Sequence, residues 1–253
     1  MKEFTGENRM NRRPLMANLP DLAPLSSDAF KRFRNVLYPV AKTLFLLALL
    51  NPVARTWYMD WGATHTERYR LYPGDQLSPN VLSVATRAVT IDAPKDQVWP
   101  WIVQIGEDRA GFYSYTWLEN LFLADMHNAE RINPQWQTRQ VGDTVWLTSK
   151  SRYHGTARTI VAIYEPGHVM VLVSPPDYET LSQRGPPING CWTFILETEG
   201  LHSSRLIMRS RGRSTGIFKR AFDYFIFDPA HFIMERGMML GIKRRAERGP
   251  SGP

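Results

Sequence analysis

The sequence predicts an α+β domain in which a curved antiparallel sheet wraps a long C-terminal helix, preceded by an extra hydrophobic helix near the N-terminus. Three observations carry this. Strand-like runs follow one another through residues 144–209 with short turns between several of them, which gives antiparallel hairpins and not βα alternation. One strand and two helices come before that run. One strongly patterned helix of about 20 residues ends the chain.

Elements follow in chain order. Residues 1–29 carry Pro, Asn, Asp and Ser without lasting periodicity and read as a flexible arm. Residues 30–60 are expected to form the hydrophobic helix; the string "KRFRNVLYPVAKTLFLLALLNPVARTWYMDWG" at 31–62 has residues 43–50 as its uninterrupted apolar part. A membrane-spanning helix needs about 20 mostly apolar residues. The run therefore admits three readings: an anchor lying on a membrane, a signal anchor spanning it, or a helix packed on the domain. Arg55, Trp57, Tyr58 and Trp61 resemble an interfacial belt. "YPGDQLSPN" at 72–80 is rich in turn residues and reads as a linker. "TRAVTID" at 86–92 is a strand. The next helix takes Pro94 in its first turn, carries Val98, Trp99, Ile102 and Val103 at helical spacing, and ends at Gly106. A second helix spans 116–124, where Thr116 and Glu119 have capping-box spacing. Strands are expected at 144–148, 157–164, 169–173, 191–196 and 205–209. The loop 174–190, with its prolines, is long enough for a lid or a pocket rim. "GIFKRAFDYFIF" at 216–227 reads as a gate, a membrane-touching segment or a short covering helix. "FDPAHFIMERGMMLGIKRRAE" has Asp228 as N-cap and Pro229 at the first helical position. Its last turn is basic, where the helix dipole favours cations. The domain proper spans 61–247, and 248–253 is a tail.

Composition bounds the function. At 253 residues the chain holds one good-sized domain with extensions. Cys191 is the one cysteine, which excludes an internal disulfide and any multi-cysteine metal site. The net charge of +7 is concentrated toward the ends of the chain, at residues 9–13, 31–34 and 243–248. That distribution favours an anionic membrane surface or a solvated tail over nucleic acid, for which no groove-reading motif is present. No cofactor is implied, and no ligand spacing diagnostic of a metal occurs.

A sheet bent around one helix leaves space between the two, so ligand-lining residues are sought there. Trp192 and Phe194 alternate on one face of a strand, and Arg87 shares parity with Val89 and Ile91. If those face inward, Arg87 does too, and is placed to hold a ligand carboxylate or pair with Glu119. His231, Glu235, Met234 and Met238 share the broad face of the last helix. His231 and Glu235 are four apart, but one helical pair does not make a metal site. Gly237 and Gly241 mark either close backbone packing or room for a guest. "DRAGFYSYTWLEN" at 108–120 mixes rings with charges. Tyr113, Tyr115, Trp117 and Glu119 are read as bordering the cavity mouth, against the alternative that the rings are core and the charges brace a loop. Glu119, Asp108 and His127 are the weak candidates for acid/base chemistry. No nucleophile elbow, phosphate loop or zinc-protease helix is present.

The order of elements, together with "WGAT" at 61–64, "TRAVTIDAP" at 86–94, "VWPWIVQIGEDRAGFYSYTWLENLF" at 98–122, "HNAERINPQWQ" at 127–137, "VGD" at 141–143 and "PAHFIMERGMMLGIKRR" at 229–245, resembles the START/Bet v 1-like (SRPBCC) superfamily. The likeness is to a bacterial subgroup with a hydrophobic N-terminal segment. The resemblance implies a helix-grip fold and a cavity for a hydrophobic small molecule or lipid, in a protein that is membrane-associated or cytoplasmic. A cyclase- or dehydratase-like enzyme working in the same cavity is the alternative, and a membrane-linked interaction domain without ligand is the third reading. The superfamily spans carriers, receptors and enzymes, so the resemblance does not choose among them. The Rieske ligand set of its oxygenase branch does not occur in this chain.

Overall fold

The computed structural model describes residues 35, 37–39, 42, 50–121 and 125–249. The chain divides into two units, Met1–Leu49 and Leu50–Pro253. In the first, the described residues 35, 37–39 and 42 are helical and exposed. Most of the apolar run 43–50 lies outside the described residues. Among the described residues no helix is long and apolar enough to cross a membrane.

The second unit opens with helical residues 50–59 (α1) and a short helix, α2 (His65–Tyr69), held by a complete capping box between Thr64 and Glu67. Six strands follow: β1 (Ser83–Ile91), β2 (Thr144–Trp146), β3 (Arg158–Glu165), β4 (Val169–Val173), β5 (Gly190–Thr198) and β6 (Ser204–Gly212). They form one antiparallel sheet in the order β1-β6-β5-β4-β3-β2. Between β1 and β2 lie α3 (Lys95–Val103) and α4 (Thr116–Leu121). The chain ends in α6 (Ile217–Phe222), a π-helical turn (Asp223–Phe227) and α7 (Asp228–Glu247).

Strand parity divides the sheet into two chemistries. One face carries Val89, Ile91, Phe194, Leu196, Leu206 and Met208, and packs with α3 and with Met238, Met239 and Ile242 of α7. The other carries Ala88, Val169, Val171, Ile195 and Ile207, beneath Tyr72 and Ile188. With both faces covered, β4 reads as an unbroken apolar run, and all five of its residues are buried. The turn-rich stretch 72–80 is therefore not a free linker. Tyr72, Asp75 and Ser78 are buried, and Asp75 pairs with Arg209 at 3.0 Å and Arg211 at 3.2 Å on the outer face. A strand facing core on one side and water on the other would not need such arginine partners.

Two further expectations are corrected. Residues 175–184 form a helix, α5 (Pro175–Arg184), and not an open lid. Ser174 caps it, accepting from the Asp177 amide at 3.3 Å, and the prolines occupy its first turn, where their missing N–H groups cost nothing. Tyr178 and Leu181 pack on the outer apolar cluster, so α5 does not rim the face that meets α7. Asp228 is not an N-cap. Its backbone is helical, and its N–H bonds the carbonyl of Asp223, five residues back. Pro229 explains the wide turn. In an uninterrupted α-helix its ring would press on the carbonyl four residues earlier, and one extra residue per turn relieves that contact. The Asp228 carboxylate instead accepts from Arg55 of α1, at 2.8 Å and 3.1 Å.

Gly237 and Gly241 serve close packing. A Cβ on Gly241 would lie 2.1 Å from the Tyr113 carbonyl oxygen, and one on Gly237 would lie 2.8 Å from the Tyr115 ring. The loop before α4 thus rests directly on the backbone of α7.

Candidate functional site

The polar centre of the molecule is an ion pair placed inside the apolar layer between α7 and the sheet. On β1, Arg87 points to the same side as Val89 and Ile91. On α7, Glu235 lies one turn from both His231 and Met238, on the buried stripe. Arg87 Nη1 donates to Glu235 Oε2, and both side chains are only 1 % exposed. The other oxygen, Oε1, accepts from Trp192 Nε1 at 2.6 Å and Ser210 Oγ at 3.3 Å. Trp192 and Ser210 are direct cross-strand partners of β5 and β6, which is why they reach one carboxylate together. Arg87 Nε donates to the Tyr58 carbonyl of α1 at 2.8 Å, and its guanidinium lies over the Phe232 ring at 5.3 Å.

His231 completes the cluster. Its Nδ1 is 3.4 Å from Arg87 Nη1. A guanidinium only donates, so Nδ1 accepts and the ring proton is assigned to Nε2. Among the described residues Nε2 has no hydrogen-bond partner. The ring is stacked on Phe227 of the π turn, with centroids 5.4 Å apart and planes 10° apart, and meets Trp192 edge-on at 5.9 Å. Burial lowers the His231 pKa, the Glu235 charge works against that, and Arg87 reinforces it, so the imidazole is neutral at pH 7. Burial raises the Glu235 pKa, but the charge of Arg87 and the hydrogen bonds from Arg87 and Trp192 outweigh it. The carboxyl is held below the usual range and stays ionised. Trp192, His231 and Met234 are half-buried, and they mark the edge where the cluster meets solvent. Trp192 also faces Phe112 at 6.2 Å and Phe194 at 4.7 Å.

The sequence candidates thus separate. Arg87, Trp192 and His231 converge, with Met234 one turn along α7 and Phe194 and Met238 buried in the core. Arg87 pairs with Glu235. Tyr113 is buried elsewhere. Its hydroxyl accepts from Gln104 Nε2 and donates to the Trp101 carbonyl, each at 3.0 Å, and Arg245 covers its ring at 4.9 Å. Its φ of 57° is held by Asn128, which accepts from the Tyr113 N–H at 2.7 Å. Tyr113 braces the loop onto α7. Tyr115 lies against Gly237, and Trp117 is exposed. The side chain of Glu119 lies outside the described residues. Asp108 is exposed and 3.7 Å from Lys150, and Arg109 donates to the carbonyls of Trp136 and Thr138, so these charges fix a surface loop. His127 is exposed, with Nδ1 3.1 Å from the Asp125 carbonyl and not from a carboxylate. An open concavity beside this loop, lined by residues 129–134 and Trp136, contains none of the candidates.

Glu235 is visible in the sequence as an acid on the apolar stripe of α7. Its partners are not, because Arg87, Trp192 and Ser210 come from strands whose register only the folded sheet reveals.

No family model matches the chain, and no curated protein matches it. Among solved structures it is similar to the Polyketide_cyc-like protein Cgl2372 from Corynebacterium glutamicum, with 16% identity over 68% of this chain and 91% of that one, at a TM-score of 0.29. It is similar to MLL2253 from Mesorhizobium loti, with 15% identity over 65% and 98%, at a TM-score of 0.32. TTHA0849 from Thermus thermophilus aligns at 13% identity over 67% and 100%, with a TM-score of 0.33. A likeness at this level assigns the chain neither a family nor an activity.

Proposed function

We propose that this protein binds a hydrophobic small molecule or lipid bearing a hydrogen-bond acceptor, held at the edge of the layer between α7 and the sheet. The observation that carries the reading is the outward N–H of His231. The ring is locked between Phe227 and Trp192, its tautomer is fixed by Arg87, and its donor has no protein partner among the described residues. Apolar walls with one oriented donor are what such a guest requires. Trp192, Phe227 and Met234 supply the walls. Arg87 and Glu235 orient the histidine and do not themselves reach the guest.

The acid/base alternative gains less from this geometry. A histidine whose Nδ1 accepts from a guanidinium is a poor base, because its protonation would place two cations side by side. Asp108 and His127 are exposed and apart from the cluster.

Native mass spectrometry of the purified full chain, followed by organic extraction, tests the reading. A co-purified apolar guest is expected, together with binding of the fluorescent sulfonate anilinonaphthalene. His231→Phe keeps the stacked ring and removes the donor, and is expected to weaken probe binding by about tenfold, the worth of one hydrogen bond left unmade. An empty mass with no probe binding overturns the proposal in favour of a packed interaction domain.

A further inference from the structure

α6 and the π turn bury no residue and present apolar side chains to solvent. Ile217, Phe218, Ala221, Phe222 and Phe225 fall at i, i+1, i+4, i+5 and i+8, one apolar arc of a helix. In a surface helix of a globular domain that arc faces the core. Here it faces solvent: Ile217 is 77 % exposed, Phe218 89 %, Phe222 56 % and Phe225 48 %. The polar residues Lys219 and Arg220 are exposed as well, and Asp223 is half-buried. Asp223 accepts from Ser214 and Lys219, and the Tyr224 carbonyl accepts from Asn51 of α1 at 3.0 Å. Propensity and core packing alike disfavour rings in water, so the arc is built for a partner.

Two further observations say what kind. First, α1 is tied beside the π turn by Asn51–Tyr224 and Arg55–Asp228, and it presents its own exposed apolar positions, Leu50, Val53 and Trp57, at i, i+3 and i+7. In sequence the apolar run 43–50 leads straight into that helix. Second, the charge around the arc has one sign. Arg213 and Arg220 make no ion pair among the described residues, whereas the carboxylates nearby, Asp223 and Asp228, are already paired with Lys219 and Arg55. Rings on one arc with unpaired cations at its border match the interface of an anionic bilayer, where rings enter the acyl boundary and arginines meet phosphates. We infer that the α1–α6 face docks on an anionic lipid surface, with Phe218 and Phe222 inserted. This inference does not depend on the ligand reading above.

Full-length protein is mixed with vesicles of phosphatidylcholine, with and without phosphatidylglycerol, and sedimented. Selective binding to the anionic vesicles is expected. The double variant Phe218→Ser/Phe222→Ser changes only exposed positions, so its thermal unfolding should match wild type, while its partitioning falls by at least about tenfold. As a local readout, Phe218→Cys is labelled with an environment-sensitive dye, Cys191 being buried. A blue shift on anionic vesicles supports insertion. Undiminished binding by the double variant overturns the inference and locates docking elsewhere in the chain. Absence of vesicle binding, with wild type dimeric and the double variant monomeric in sedimentation analysis, overturns it in favour of a second copy as the occupant.

Discussion

Glu235→Leu should destabilise the protein far more than its isosteric character suggests. Glu235 is the shared acceptor for Arg87, Trp192 and Ser210. Leucine keeps the volume but strands a guanidinium that is 1 % exposed, leaving it the Tyr58 carbonyl, His231 Nδ1 at 3.4 Å and the Phe232 face. Breaking a buried ion pair by removing one partner costs about 3–5 kcal/mol. For a domain of this size each kcal/mol lowers Tm by roughly 2–4 °C, so a fall of about 6–20 °C is expected by circular dichroism. Arg87→Met should cost less. A stranded glutamate can take up a proton and become neutral, whereas a stranded arginine cannot shed one. The double variant Arg87→Met/Glu235→Leu replaces the pair by apolar groups and should recover to within about 1–2 kcal/mol of wild type. If the double variant is as unstable as the sum of the singles, the two residues are not coupled and the site as described is wrong. The same holds if Glu235→Leu melts within about 3 °C of wild type.

Two other outcomes follow from the same geometry. Because His231 is held below its ordinary pKa, the unfolded chain binds a proton there before the folded one does, and stability should fall as pH drops below about 6.5. Glu235, also held low, adds a second loss in the carboxylate range below about pH 4.3, and His231→Gln should flatten the fall of the urea midpoint with pH in the first window only. Gly241→Ala should destabilise by about 2–3 kcal/mol despite its better helix propensity, because the new methyl meets backbone at Tyr113. Gly237→Ala should cost less, since its obstacle includes the Tyr115 ring, which is 38 % exposed and free to swing away; equal losses in urea melts would contradict this.

How far the residues announce all this depends on whether the determining signal is local. Alternation along 192–196 and the stripe of α7 are local, and they place Trp192, Phe194, His231 and Met238 on faces that do meet. The helical stop at Gln104, near Gly106, is local too. What pairs with Arg87 is decided by sheet register and by the rotation of α7, both global. The loop 174–190 misleads because two consecutive prolines signal a break and equally a first helical turn, and Ser174 decides between them. Residues 72–80 have the composition of a linker, and only the arginines on the outer face of β6 give Asp75 a reason to be buried. Rings at 112–117 suggest a pocket mouth, but Tyr113 is used as a brace, a role visible only when Gly241 is seen beneath it.

The π turn has one more consequence. It holds one residue more than an α turn, so everything before Asp223 is rotated by about 100° from where an unbroken helix would carry it. The character of the outward face at Ile217–Phe222 is therefore set by residue count as much as by residue identity. Removing Asp223 or Ile226 would leave every ring in the chain yet swing the apolar arc away from its present direction. In this segment, insertions and deletions are the variations that rewrite the surface, and conservative substitutions are the ones that leave it alone.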